Sequence, residues 1–135
     1  MIGLLIVTHG DLAREFIAAT EHVVGPLERC DAICIGPDDD LEDRRNDIRD
    51  GIKTLDTGSG VLILTDMFGG TPSNLAISQL EAGKVEVLAG INLPMMIKLA
   101  ESRSVMALEA LAEAGEVAGQ RYIARASTVL DGATK

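Results

Sequence analysis

Residues 4–12 read LLIVTHGDL, and the way this stretch is parsed decides the fold. Leu4 to Val7 are four aliphatic residues without polar alternation, the pattern of a strand covered on both faces. The apolar run (Ile2–Val7) ends abruptly at Thr8-His9-Gly10. From about Asp11 to Val24 the period then becomes helical. Leu12, Phe16, Thr20, Val23 and Val24 fall on one face, which Arg14, Glu15 and Glu21 avoid. Gly10 allows a sharp turn into this helix, and Gly25-Pro26 stops it.

The same alternation continues along the chain. Ala32–Ile35, Val61–Thr65 and Val85–Leu88 are further short aliphatic runs. Between them lies a helix from about Asp40 to Leu55, with Leu41, Ile48, Ile52 and Leu55 inward. Two more helices are expected over Pro72–Leu80 and Pro94–Ala114, each opening on a proline, which the first helical turn tolerates. The tail Arg121–Leu130 contains RYIARASTVL and reads as a last edge strand.

This β-α-β-α-β-α-β-α-β string predicts one domain, residues 1–135, with the α/β architecture of a mainly parallel sheet between two helical layers. Strand order 2-1-3-4 is expected. In such open sheets ligands sit beyond the carboxyl ends of the strands, where the order reverses. Here that point lies between the exits of strands one and three.

Composition narrows the chemistry. Hydrophobic residues make up 47% of the 135, but the aromatics are only Phe16, Phe68 and Tyr122. The core is therefore aliphatic, and few rings are available to stack a flavin or nucleobase. A formal charge of −9, with no basic stripe, argues against nucleic-acid binding. No apolar run reaches the roughly 18 residues of a membrane span, and no signal peptide is read at the start, so a cytoplasmic location is expected. Cys30 and Cys34 share one face of a strand about 13 Å apart, too far for a disulfide, and read as packing residues. The acidic run Asp38-Asp39-Asp40 lacks the glycine and closing glutamate of a calcium loop and reads as a solvated helix start.

Two histidines are present, His9 and His22. His22 falls mid-helix beside Glu21 and reads as a surface or packing residue. His9 stands at the strand-one exit, where the predicted order brings it beside Asp66, from the strand-three exit LTDMFGGTPSN, residues 64–74. A carboxylate accepting the Nδ1 proton fixes the tautomer and leaves Nε2 as a free lone pair. After Asp66, Gly69 and Gly70 permit positive φ or close backbone approach. Thr71 and Ser73 then begin a helix and add hydroxyl donors beside its unpaired N–H groups, a place for an anion of phosphate size. Taken singly, a loop histidine and an Asp–Gly–Gly turn are ordinary features. It is their joint placement at the switch point that points to a site.

Three segments, GLLIVTHGDLA (3–13), GVLILTDMFGGTPSNLA (60–76) and GINLPMM (90–96), together resemble the IIA component of the mannose family of the phosphoenolpyruvate-dependent sugar phosphotransferase system. The likeness extends in order over nearly the whole chain and weakens between about residues 110 and 120. It implies a carrier that receives a phosphoryl group on His9 Nε2 from the phosphocarrier HPr or a paralogue, with Asp66 as the orienting partner. Gly69, Gly70, Thr71 and Ser73 would hold the phosphoryl oxygens. The group would pass to a IIB component, expected on a separate chain because this one ends at Lys135. The resemblance also implies a homodimer with the last strand exchanged, and no metal or organic cofactor.

Met67, Phe68, Leu93, Met95 and Met96 gather in the loops at the same sheet end, either as core or dimer contacts or as an adaptable apolar docking rim. Three other readings share parts of this pattern. THG echoes the RHG of histidine phosphatases, but Thr8 replaces the arginine and no histidine follows His22. The phosphotransfer subunit of dihydroxyacetone kinases shares a strand-exit histidine, against which GGTPSN favours the mannose-type IIA. A regulatory module whose His9 phosphorylation gates a partner is compatible with the same chemistry.

Overall fold

Side-chain alternation on the buried strands builds the two cores of the molecule. In the computed structural model, which describes residues 1–133, β1 (Gly3–His9), β2 (Cys30–Ile35), β3 (Val61–Thr65) and β4 (Val85–Ala89) form one sheet. Its order is β2-β1-β3-β4 and every pairing is parallel, as the sequence predicts. Successive side chains on a strand point to opposite faces. Leu4, Ile6, Leu62 and Leu64 thus enter one core, while Leu5, Val7, Val61 and Ile63 enter the other.

The first core is closed by α1 (Leu12–Val24), α4 (Leu93–Ser102) and α5 (Leu108–Arg121), the second by α2 (Leu41–Leu55) and α3 (Thr71–Ile77). A three-layer α/β/α arrangement results. Asp40 caps α2: its carboxylate accepts the N–H groups of Glu42 at 2.9 Å and Asp43 at 3.0 Å.

Two predicted elements differ. The expected single helix over Pro94–Ala114 is two helices, because the chain turns after α4 to carry Arg103 inward. The Arg103 side chain donates to the carbonyls of Ile2, Glu28 and Arg29 at 2.9, 2.6 and 2.6 Å. α5 then runs back along α4, and glycines let the two approach. A Cβ on Gly115 would lie 2.7 Å from Leu99 Cδ2, and one on Gly119 would lie 2.9 Å from Met95 Cε.

The expected edge strand over Arg121–Leu130 is not formed. α5 runs through Arg121, and Ala126–Ala133 form a short helix, α6. A strand needs a ladder partner for its backbone groups, whereas a helix satisfies its own. Within one chain this alanine-containing segment takes the helical solution, and Tyr122, Ile123, Val129 and Leu130 are exposed.

Helix faces also shift. On α1 the residues turned inward are Ala13, Phe16, Ile17 and Thr20, while the expected Leu12, Val23 and Val24 are exposed. On α2, Leu41 is exposed, and Ile48 and Leu55 are buried as expected. The rotation of α1 is set where it leaves β1. Gly10 takes φ +53°, and the buried Thr8 Oγ1 accepts the Ala13 N–H at 2.7 Å. That bond turns Ala13, rather than Leu12, toward the sheet.

Candidate active site

β1 and β3 are hydrogen-bonded neighbours, with Val7 opposite Thr65. Their next residues therefore leave the sheet side by side. His9 is the last residue of β1, paired with Ile35 of β2, so the β2 ladder restrains its backbone on one side. Asp66 is the first residue beyond β3.

The two meet through one carboxylate oxygen. Asp66 Oδ2 accepts the His9 backbone N–H at 3.0 Å and lies 2.8 Å from His9 Nδ1. Its Oδ1 accepts the Met67 N–H at 3.0 Å. Burial raises the Asp66 pKa, but the His9 N–H, the His9 ring and the Met67 N–H together outweigh it, and the carboxyl titrates below the usual aspartate range. An ionised Asp66 only accepts, so Nδ1 carries the ring proton and Nε2 presents a lone pair. The Asp66 side chain is 13% exposed and that of His9 50%. The carboxylate is thus sheltered while the nucleophilic edge reaches solvent.

The glycines of the next loop divide the two uses read from sequence. Gly69 takes φ +93°, a conformation that L side chains rarely adopt. Gly70 has ordinary extended φ and is needed for space: a Cβ there would stand 2.7 Å from His9 Cε1 and 3.0 Å from Nε2. The loop backbone therefore lies against the reactive edge of the imidazole. Thr71 is half-buried in the first turn of α3.

Ser73 is placed differently from the expectation. It is fully buried, and its hydroxyl is engaged with the backbone of Gly69 and Gly70 rather than turned toward solvent. The apolar group also divides: Met95 and Met96 belong to the core, whereas Met67 and Phe68 stand exposed beside the site. His22 is exposed on α1, away from this sheet end. Thr8, absent from the sequence reading of the site, anchors the turn that follows His9. The one signal for it was a hydroxyl closing an apolar run. Among the described residues no group of three or more His, Cys, Asp or Glu could hold a metal ion, and no helix is long and apolar enough to cross a membrane.

Comparison with known proteins agrees with this fold. The sequence profile of the EIIA-man family, described as PTS system fructose IIA component, matches residues 3–115. The chain is 34% identical over 104 residues to the mannose-specific EIIAB component of the phosphotransferase system of Escherichia coli (strain K12), covering 76% of this chain and 32% of that protein. It thus spans about a third of that relative's length. The sorbose-specific EIIA component of Lacticaseibacillus casei is 30% identical over 109 residues, covering 80% of this chain and 78% of that one. Among solved structures, the phosphotransferase system component EIIA of Streptococcus agalactiae superposes with a TM-score of 0.86 at 26% identity, over 95% of this chain and 99% of that one.

Proposed function

The chain belongs to the EIIA-man family of phosphotransferase-system IIA components, and from that premise we propose that it is a phosphoryl carrier. It accepts a phosphoryl group on His9 Nε2 from an HPr-type phosphocarrier and passes it to a IIB component in sugar transport. The observation that carries this reading is the 2.8 Å contact of His9 Nδ1 with Asp66. It leaves Nε2 as the free nitrogen, facing the Gly70 backbone.

The chemistry follows from that tautomer. As the Nε2 lone pair bonds to phosphorus, the donor's N–P bond breaks and its electron pair returns to the donor nitrogen. The Nδ1 proton stays in place, so positive charge develops on the imidazole, and the sheltered Asp66 carboxylate stabilises it. The same proton makes the ring a good leaving group in onward transfer, because it departs as neutral imidazole. Phosphoryl transfer asks mainly for alignment and charge stabilisation. A ring held by Asp66 and placed at the end of a strand paired on both sides is suited to that. In this reading Thr71, half-buried at the start of α3, donates to a phosphoryl oxygen, and exposed Met67 and Phe68 offer an adaptable surface to partner proteins.

The proposed assembly is a cytoplasmic homodimer. Among the described strands β4 pairs with β3 alone, and Ile123, Val129 and Leu130 are exposed. Exchange of the C-terminal segment between two copies would cover both features, and light scattering that returns the monomer mass would refute it.

The functional test is incubation with phosphoenolpyruvate, enzyme I and the phosphocarrier, followed by intact mass. One acid-labile phosphoryl group per chain is expected, and none in His9→Ala. Stable label in that variant, or none in the native protein beside a competent donor, overturns the reading.

A further inference from the structure

Ser73 is wholly buried, and no part of the transfer step above requires it. Its Oγ accepts the N–H of Gly69 at 3.1 Å and that of Gly70 at 3.3 Å, and donates its own proton to the Gly70 carbonyl at 3.0 Å. That carbonyl also accepts the Asn74 N–H at 3.0 Å. One hydroxyl therefore occupies the backbone donors of both glycines in the loop against Nε2. Gly70 lies so near that its missing Cβ would be 3.0 Å from that nitrogen.

These two bonds are weak ones. Both are longer than the usual N–H···O separation of about 2.9–3.0 Å, and they share a single neutral acceptor. A phosphoryl oxygen is an ionised acceptor, and bonds to such groups are roughly twice as strong as neutral ones. Neither glycine carries a Cβ to hinder rotation of the peptide between them, and Gly69 already occupies positive φ.

We propose that Ser73 is a positioning residue for the uncharged site. Its hydroxyl ties off the Gly69 and Gly70 N–H groups while Nε2 is free, and the two donors exchange it for phosphoryl oxygens once Nε2 is charged. The inference rests on the reading of His9 as phosphoryl acceptor. Ser73 neither makes nor breaks a bond to phosphorus. It stabilises the empty site, and so sets how far transfer from the donor runs.

The sign separates this role from simple support of the loop. Ser73→Ala removes the acceptor that competes with the phosphoryl group and leaves two N–H groups unpaired in the empty site. The transfer equilibrium then shifts toward the phosphorylated protein, by about fivefold for weak hydrogen bonds of this kind. Loss of support alone slows transfer in both directions and leaves the equilibrium unchanged or less favourable.

The experiment equilibrates the full-length protein, native or Ser73→Ala, with a set ratio of phosphorylated to free HPr-type phosphocarrier and reads the phosphorylated fraction by intact mass. Amide resonances of Gly69 and Gly70 in the native protein are followed in parallel by NMR. The expected result is an equilibrium constant raised about fivefold in Ser73→Ala, with both native amide protons moving downfield on phosphorylation. An unchanged or lowered constant in folded Ser73→Ala overturns the proposal. If that variant fails to fold, native amides that stay in place while His9 is phosphorylated overturn it instead. A native protein that takes no phosphoryl group at all defeats the functional reading, and this inference with it.

Discussion

The two ends of the sheet each gather polar groups, and they treat them in opposite ways. At the entrance of β1 and β2, Arg103 is 3% exposed and gives donors from Nε, Nη1 and Nη2 to the carbonyls of Ile2, Glu28 and Arg29. At the exit of β1 and β3, Asp66 is similarly sheltered, but its partner His9 keeps one ring nitrogen free at a half-exposed edge. The first cluster is closed, the second open. Backbone strain does not mark the difference. Arg29 is the described non-glycine residue with positive φ, +49°, and it belongs to the closed end, where its carbonyl also accepts the Leu4 N–H at 3.0 Å. Chemistry here is marked by an unused lone pair beside a partly sheltered charge.

If the closed end serves stability alone, Arg103→Met should destabilise the fold by about 3 kcal/mol, since hydrogen bonds from a charged group contribute about 1.5–3 kcal/mol each and are not additive. Urea unfolding measures it. His9 phosphorylation under native conditions should stay near the native rate, and a large loss there would collapse the distinction between the ends.

At the open end the converse is expected. Asp66→Asn should slow phosphorylation of His9 by about 10²-fold or more, with the fold retained. A native-like rate, measured by rapid quench, would remove the tautomer argument. The variant also carries a pH signature. The Asp66 pKa is lowered in the folded state, so the native protein binds fewer protons there than the unfolded chain. That contribution is fully present above the ordinary aspartate value of about 3.9 and is lost as pH falls through the lowered folded value. Unfolding compared at pH 7 and at pH 3 should show the stability gap between native protein and variant narrowing on acidification. A gap that widens contradicts the stated pKa direction.

The open end was largely legible in the sequence, and the closed end was not. His9 and Asp66 could be paired because parallel order alone places successive strand exits together, and β3 was read at its observed bounds, Val61–Thr65. Arg103 could not be read because its acceptors lie 74 to 101 residues away in sequence, and no local pattern predicts a break at a residue held by distant carbonyls. The tail RYIARASTVL carries the residue types of a strand, but a helix supplies its own backbone partners, and Ala126–Ala133 take that form. Ser73 is expected from the sequence as a donor to an anion, and its hydroxyl is engaged with the backbone of Gly69 and Gly70. A hydroxyl at a helix start can turn outward to a ligand or back to its own loop, and only the turn geometry decides. Cys30 and Cys34 were read as packing residues, and both lie half-buried against the first core. Burial pushes the Cys30 thiol up to about 12, with Arg103 pulling it down and Glu21 and Asp31 adding to the rise, so at neutral pH it is a protonated packing group.

Thr8 tests whether a structural device can sit inside the open end without belonging to its chemistry. It is adjacent to His9 and wholly buried, and its Oγ1 accepts the Ala13 N–H at 2.7 Å. It thereby caps α1 from within the strand. Asp11, at the ordinary capping position, makes no cap bond and pairs with Arg14 instead. Thr8→Val keeps the shape and removes only the acceptor, so a stability loss of about 1 kcal/mol is expected, as for other lost caps. The His9 backbone is held independently by its ladder position opposite Ile35 and by the bond from its N–H to Asp66. Phosphorylation of His9 in this variant should therefore change by less than in Asp66→Asn. A rate loss as large as that of Asp66→Asn would mean that the cap, and not the strand, positions the imidazole. The open end would then depend on α1 as closely as the closed end depends on Arg103.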